Sequence, residues 1–302
     1  MHPHIQQIGG DLLCRAPESQ PPELRLGGEA ARAALEGWAE RYGLAVGAND
    51  AAALLTIGRE LFAWLDATGW ATAWARATGP RALEIRVEDP SAPLGRALLD
   101  APWELLAGKD GHLAEDAVQL FELVRRIGPT GTGEPIAARH SDLQLLFMAA
   151  APAGQSVLSY EAEEAAILQA TDHLPLHLVV EESGAAQYLG ERLDLDGPFE
   201  ALHLSCHGDI DPERGPVLAL EDDLGGMAPT GPGEVAQLLG DPERTPLVFL
   251  SACRTAEQGE NDEGTQSFAP FVHELIRAGM ANVLGWDGSV YDSDAMAFAQ
   301  YF

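Results

Sequence analysis

The sequence predicts an α/β protein: a mostly parallel sheet covered by helices on both faces, three layers in all, preceded by a smaller mixed α+β N-terminal region. Three observations lead there. From Asp142 onward, short apolar runs alternate with amphipathic stretches in a strand and helix rhythm. Two of those runs, Phe199 to Cys206 and Leu247 to Ser251, are separated by enough chain for a crossover, which makes such strands parallel. Before Asp142 the pattern differs, with two helices in succession and strands bounded by proline and glycine.

Taken in order, Asp11 to Arg15 and Glu23 to Leu26 read as a strand hairpin. Glu29 to Tyr42 and Asp50 to Ala67 repeat apolar residues at three and four positions (Leu35, Trp38; Leu54, Leu61, Leu65), which marks amphipathic helices. Trp64, Trp70 and Trp74 lie close together, and core packing explains them better than a ligand-binding aromatic patch. Ala82 to Val87 alternates as a strand, Leu94 to Leu99 is helical, and a turn at Lys109-Asp110-Gly111 leads to a strand ending at Arg126. Gly128 to Pro135 is rich in glycine but has no Lys-Ser/Thr end and precedes a strand, so it is expected to be a linker rather than a phosphate loop. The expected domains are 1–135 and 136–302, the first packing on the second.

In the second part, Leu143 to Ala149 and Leu176 to Val180 are expected strands. The helix from Ser159 to Leu168 has Ser159 as its N-cap, with Glu161, Glu163 and Glu164 near its positive end. Gly184 to Leu193 is a helix and Phe199 to Cys206 a strand. A hairpin (Val217 to Leu224) and a short helix (Gly233 to Gly240) follow, then the Leu247 strand. A helix from Ser267 to Ala278, a strand from Ala281 to Trp286 and a last helix begun near Asp292 complete the order. That helix is still running at Phe302, so the natural protein is expected to continue.

At 302 residues and 46% hydrophobic the chain can bury a full core. A net charge of −29 argues against nucleic-acid binding, which needs clustered Lys and Arg. Lys109 is the one lysine among 18 basic residues, a usage expected of a GC-rich bacterial source. No run reaches the length of a membrane span and the amino terminus has no signal pattern, so a cytoplasmic protein without a membrane partner is expected. Three scattered cysteines, Cys14, Cys206 and Cys253, make neither a disulfide framework nor a paired metal site. No cofactor is expected.

The chemistry lies at two strand ends. One strand delivers Cys253 and the other His207, and parallel strands open their C-terminal ends on the side where such sheets bind ligands. A thiol titrates at roughly 8.5, and a neighbouring imidazole raises its thiolate fraction or takes its proton during attack. Gly208 lets a carbonyl approach the backbone, and its N–H with that of Cys253 could hold an oxyanion. On spacing alone, structural roles for both residues outrank catalysis. A zinc site from His203, Cys206, His207 and Cys253 ranks below both, because His203 and Cys206 point to opposite faces of a strand.

His203-Leu-Ser-Cys-His207-Gly208 together with Leu250-Ser-Ala-Cys253-Arg-Thr255 resembles the histidine and cysteine motifs of the CHAT family of caspase-like domains. Leu99 to Leu106 with Val124-Arg125-Arg126, and Ala278 to Trp286 through Asp292, resemble further segments of that family in the same order, about two thirds of the chain altogether. The resemblance implies a caspase-like fold and a cysteine endopeptidase: Cys253 as nucleophile, His207 as base and acid, and the N–H groups of Gly208 and Cys253 as oxyanion hole. It implies a protein or peptide substrate, a place in a bacterial signalling or defence pathway, and a C-terminal sensor or effector region in the same protein.

Relatives that cleave after basic residues often carry an acid two before the cysteine, where this chain has Ser251. Candidate substrate-binding residues are therefore Asp209, Asp211, Ser251 and Arg254, with Asp209 or Asp211 able to supply a missing charge. The acidic loop from Thr255 to Gln266 is a candidate substrate-binding or activation loop, or simply exposed. The alternative is a non-catalytic interaction module of the same fold that passes a signal to a C-terminal effector.

Overall fold

The computed structural model describes the chain apart from residues 1–3, 9–10, 16–23, 67–80, 117, 119, 129–139, 157, 242, 254, 256–258, 261–266, 269, 287, 289 and 302. It divides into two compact units, Met1–Gly133 and Glu134–Phe302.

In the first unit, strands β1 (His4–Ile8), β2 (Asp11–Arg15) and β3 (Leu24–Leu26) precede helices α1 (Gly28–Gly47) and α2 (Ala51–Asp66). Then come β4 (Arg81–Val87), α3 (Pro93–Asp100), a tight hairpin of β5 (Ala107–Gly108) and β6 (Gly111–His112), and β7 (Phe121–Ile127). The five-stranded sheet runs β3-β2-β1-β4-β7 and is mixed. The expected hairpin is the antiparallel β2–β3 pair, while β4 lies parallel to both β1 and β7. Leu35, Ile57, Leu61, Leu83, Ile85 and Trp103 form its core. Trp64 packs there as expected, 5.7 Å from Trp38 and 6.3 Å from Trp103 between ring centroids. Trp70, Trp74 and most of the expected linker fall outside the described residues.

In the second unit the alternation is plain. It contains β8 (Leu143–Ala149), α4 (Tyr160–Ala170), β9 (Leu176–Glu181), α5 (Ala186–Leu195) and β10 (Ala201–Ser205). There follow β11 (His207–Asp211), β12 (Gly215–Glu221), β13 (Met227–Thr230), α6 (Pro232–Leu239) and β14 (Leu247–Ser251). The short pair β15 (Gly259–Glu260) and β16 (Ser267–Phe268), then α7 (Phe271–Arg277), β17 (Asn282–Leu284) and α8 (Asp292–Tyr301), complete it. The central sheet has the order β17-β14-β10-β8-β9 with every neighbour parallel.

Because strand side chains alternate, each strand feeds two cores. Leu146, Met148, Leu202, Leu204, Val248 and Leu250 face a core with Leu189 of α5, Val235 of α6 and Leu275 of α7. Leu145 and Phe147 face the other way, toward Ile167 of α4 and Ala299 of α8. The result is the expected three-layer α/β/α arrangement.

Three local expectations are corrected. The hairpin from Val217 to Leu224 is the middle of a three-stranded antiparallel sheet, β11-β12-β13. Strand β11, His-Gly-Asp-Ile-Asp, has no apolar run to announce it. The helix expected from Ser267 starts at Phe271, since Ser267–Phe268 pairs with Gly259–Glu260 and Pro270 stands at the N-cap. The residue before a proline avoids helical geometry, so the helix cannot begin earlier. Ser159 does precede α4 but its side chain forms no cap, its φ of −82° and ψ of 44° lying outside the extended region that aims a capping hydroxyl.

Candidate active site

The parallel register of β10 and β14 sets the site. Ser205 lies opposite Ser251, and the Cys206 N–H donates to the Ser251 carbonyl at 3.3 Å. His207 and Cys253 are therefore each two residues beyond the aligned pair, at one sheet edge. They line a single cavity, whose walls also include Leu158, Ser159, Glu163, Ser205, Ser251, Val290, Ala295 and Met296.

His207 Nε2 lies 2.7 Å from the Ser156 carbonyl oxygen and 3.3 Å from its hydroxyl. A carbonyl only accepts, so the short bond requires the proton on Nε2 and leaves Nδ1 of the neutral ring as the acceptor. Cys253 is half-buried, with the Val290 N–H donating to Sγ at 3.4 Å and the thiol reaching the Val290 carbonyl at 3.7 Å. The described bonds of the ring and of the sulfur go to Ser156 and to the Val290 backbone rather than to each other. Catalytic pairs commonly stand apart in this way before substrate binds.

Gly208 has a more local reason than room for substrate. A Cβ there would lie 2.1 Å from the Cys253 carbonyl oxygen, so β11 meets the cysteine loop where only glycine fits. Thr255 anchors the other side of the cysteine loop: its hydroxyl donates to the Ala252 carbonyl at 3.1 Å and accepts from the Trp286 N–H at 3.0 Å.

The candidate substrate-binding residues separate. Ser251 lines the cavity. Asp209 and Asp211 do not: they lie on β11, where Asp209 is exposed and accepts from the Ile210 N–H. Asp211 accepts from the N–H groups of Glu213 and Arg214, each at 2.8 Å, and the Arg214 N–H first, then that of Glu213, hold its carboxyl below the usual range. Arg254 and most of the acidic loop fall outside the described residues, apart from Thr255 and the β15–β16 pair. Among the described residues no group of three or more His, Cys, Asp or Glu could hold a metal ion, and no helix is long and apolar enough to cross a membrane.

Sequence reasoning missed Glu163. Read as one of three acids at a helix start, it is 4% exposed and bridges both strands. Its Oε1 accepts from His203 Nε2 at 2.9 Å and from the Ser251 hydroxyl at 2.8 Å, while Oε2 accepts from the Ser205 hydroxyl at 2.5 Å. The imidazole of His203 packs between Phe147 and Phe249, at 5.2 and 4.6 Å. A signal existed, because Glu163 occupies the stripe of Tyr160 and Ile167, three residues after one and four before the other. For Ser156 and Val290 there was none, since backbone atoms make those contacts.

Residues 90–302, more than half of the chain, match the family model described as the CHAT domain, beginning within the first unit. No curated protein matches the sequence. With two strand-end motifs in register on a parallel α/β/α core, the chain belongs to the CHAT domain family, whose fold is caspase-like and related to that of cysteine peptidases.

Proposed function

We propose that this chain is a caspase-like cysteine endopeptidase domain acting through Cys253 and His207 within a bacterial signalling or defence pathway. The observation that carries the reading is the shared cavity at the ends of two adjacent parallel strands, with the ring held by the Ser156 carbonyl. With Nε2 so engaged, Nδ1 takes the thiol proton as the sulfur attacks the scissile carbonyl carbon. The C=O electron pair moves onto oxygen, where the N–H groups of Gly208 and Cys253 serve as donors. As the C–N bond breaks, His207 returns that proton to the amine leaving group, and a thioester remains. Water then gives one proton to His207 and its hydroxyl to the acyl carbon, and the proton passes to the departing sulfur. The N–H of Val290 favours negative charge on the sulfur between steps.

A proteome-derived peptide library incubated with the protein and read by mass spectrometry tests the reading. New peptide ends that disappear in both Cys253→Ala and His207→Ala are expected, with both variants still folded by circular dichroism. Cleavage that survives in either variant overturns the assignment, and a folded wild-type chain that cuts nothing points to an interaction module instead.

A further inference from the structure

The parallel register of β10 and β14 ends before it reaches His207 or Cys253. Its last paired residues are Ser205 and Ser251, and beyond them His207 opens β11, which belongs to a different sheet. The strand ladder therefore does not fix where the imidazole and the thiol stand. One buried side chain grips both strands at that last pair. Glu163 Oε2 accepts from the Ser205 hydroxyl and Oε1 from that of Ser251, so a single planar carboxylate joins the two serines. They stand two residues before His207 and two before Cys253. Oε1 accepts as well from Nε2 of His203, on β10, whose ring is held between Phe147 and Phe249 of the neighbouring strands.

We infer that Glu163 is the positioning residue of the Cys253 and His207 pair: by clasping Ser205 and Ser251 it holds the exits of β10 and β14 at the spacing the two side chains need. The inference rests on the peptidase reading and adds to it a residue that acts through the two strands rather than on the reacting atoms. Stability alone does not account for an acid at this place. A buried carboxylate is costly to desolvate, and apolar side chains of similar volume often stabilise a core as well or better, so what such a group adds is a fixed geometry. The carboxylate form persists in spite of burial. Desolvation raises its pKa, but the hydrogen bond and charge of His203, joined by the two serine hydroxyls, outweigh it and hold the carboxyl below its ordinary 4.5. With no proton of its own, it offers acceptors to all three donors at once. The same stretch of chain also holds the ring, since Ser156, whose carbonyl bonds His207 Nε2, lies seven residues before Glu163 across the start of α4. Glu163 thus ties the strand ends to the segment that orients the imidazole.

The test is a double-mutant cycle with His207→Ala, read as the rate at which iodoacetamide labels Cys253 and located by peptide mapping; the reagent has no side chain to place and so reports the thiol itself. Glu163→Ala should slow labelling roughly tenfold in the wild-type background and less than about twofold once His207 is replaced, because a residue that aligns the pair then has nothing to align. A merely structural role would slow both backgrounds alike. Glu163→Gln should recover most of the wild-type rate, its amide oxygen accepting from His203 and Ser251 while its N–H2 donates to the Ser205 hydroxyl. Circular dichroism accompanies each variant. If Glu163→Ala does not fold, Ser205→Ala, which releases one strand only, takes its place in the cycle with an expected slowing of roughly threefold. Equal slowing in both backgrounds, no slowing, or a Glu163→Gln variant as slow as the strand-releasing one overturns the clasp. The dyad survives that result as long as wild-type labelling of Cys253 depends on His207. Should that labelling not depend on His207, the peptidase reading and this inference fall together.

Discussion

Cys206 and Cys253 make an informative pair. Each follows the end of a parallel strand, and both line the same cavity. Cys206 nevertheless belongs to the apolar core on the α5, α6 and α7 face, is 3% exposed, and has its thiol pushed up to about 12 by desolvation, then by the charge of Glu163 and by Cys253. Cys253 is half-buried and has a backbone N–H directed at its sulfur. Strand alternation is the cause. Residues 203, 205 and 251 share the Glu163 face, whereas 202, 204 and 206 share the apolar one. A shift of a single position separates a thiol that is kept neutral from one that is half-buried at the sheet edge.

The largest expected break in this comparison is in turnover. Cys253→Ala should lower peptide cleavage by about a thousandfold or more, whereas Cys206→Ala should still cleave. Comparable losses in both variants would mean that the second thiol also takes part.

Iodoacetamide labelling, followed by mass spectrometry, should favour Cys253 over Cys206 by on the order of a hundredfold at neutral pH, given the different burial of the two thiols. First labelling at Cys206 would contradict the burial of that thiol.

Alkaline stability sharpens the same contrast. The Cys206 thiol moves from 9.0 in its ordinary setting to about 12 in the fold. Between those values the native chain holds a proton that the unfolded chain has lost, so stability falls as pH rises through the window. Relative to Cys206→Ala, the wild-type chain should lose on the order of 2 kcal/mol between pH 8 and 11 in denaturant titrations. Parallel curves for the two proteins would show that the thiol is not held neutral.

Gly208→Ala tests the contact between β11 and the cysteine loop. Its Cβ meets the Cys253 carbonyl, so a cost of about 1–3 kcal/mol and slower cleavage are expected. Gly233→Ala, in α6 with nothing within 4 Å, should instead be neutral or slightly stabilising. Equal melting temperatures for the two variants would remove the close approach.

Much of this was legible beforehand. The apolar runs at Leu143, Leu176, Phe199 and Leu247 became the strands of a parallel sheet, because a strand buried on both faces has to be apolar along its length. His207 and Cys253 stood out because small and polar residues break those runs at the sheet edge. The strand β11 escaped notice because its residues alternate without a hydrophobic set, and Glu163 because the two acids beside it look alike in sequence while only one faces the core.

The sequence by itself determined the order of the strands along the chain, their apolar faces and the two strand ends that carry His207 and Cys253, since period and turn residues act over a few positions. Only the tertiary structure decided which groups meet there. The Ser156 carbonyl on His207, the Val290 N–H on Cys253 and the Glu163 carboxylate under both strands come from parts of the chain 37 to 88 residues away. Such contacts follow from strand register and helix docking across the sheet, which no local pattern encodes.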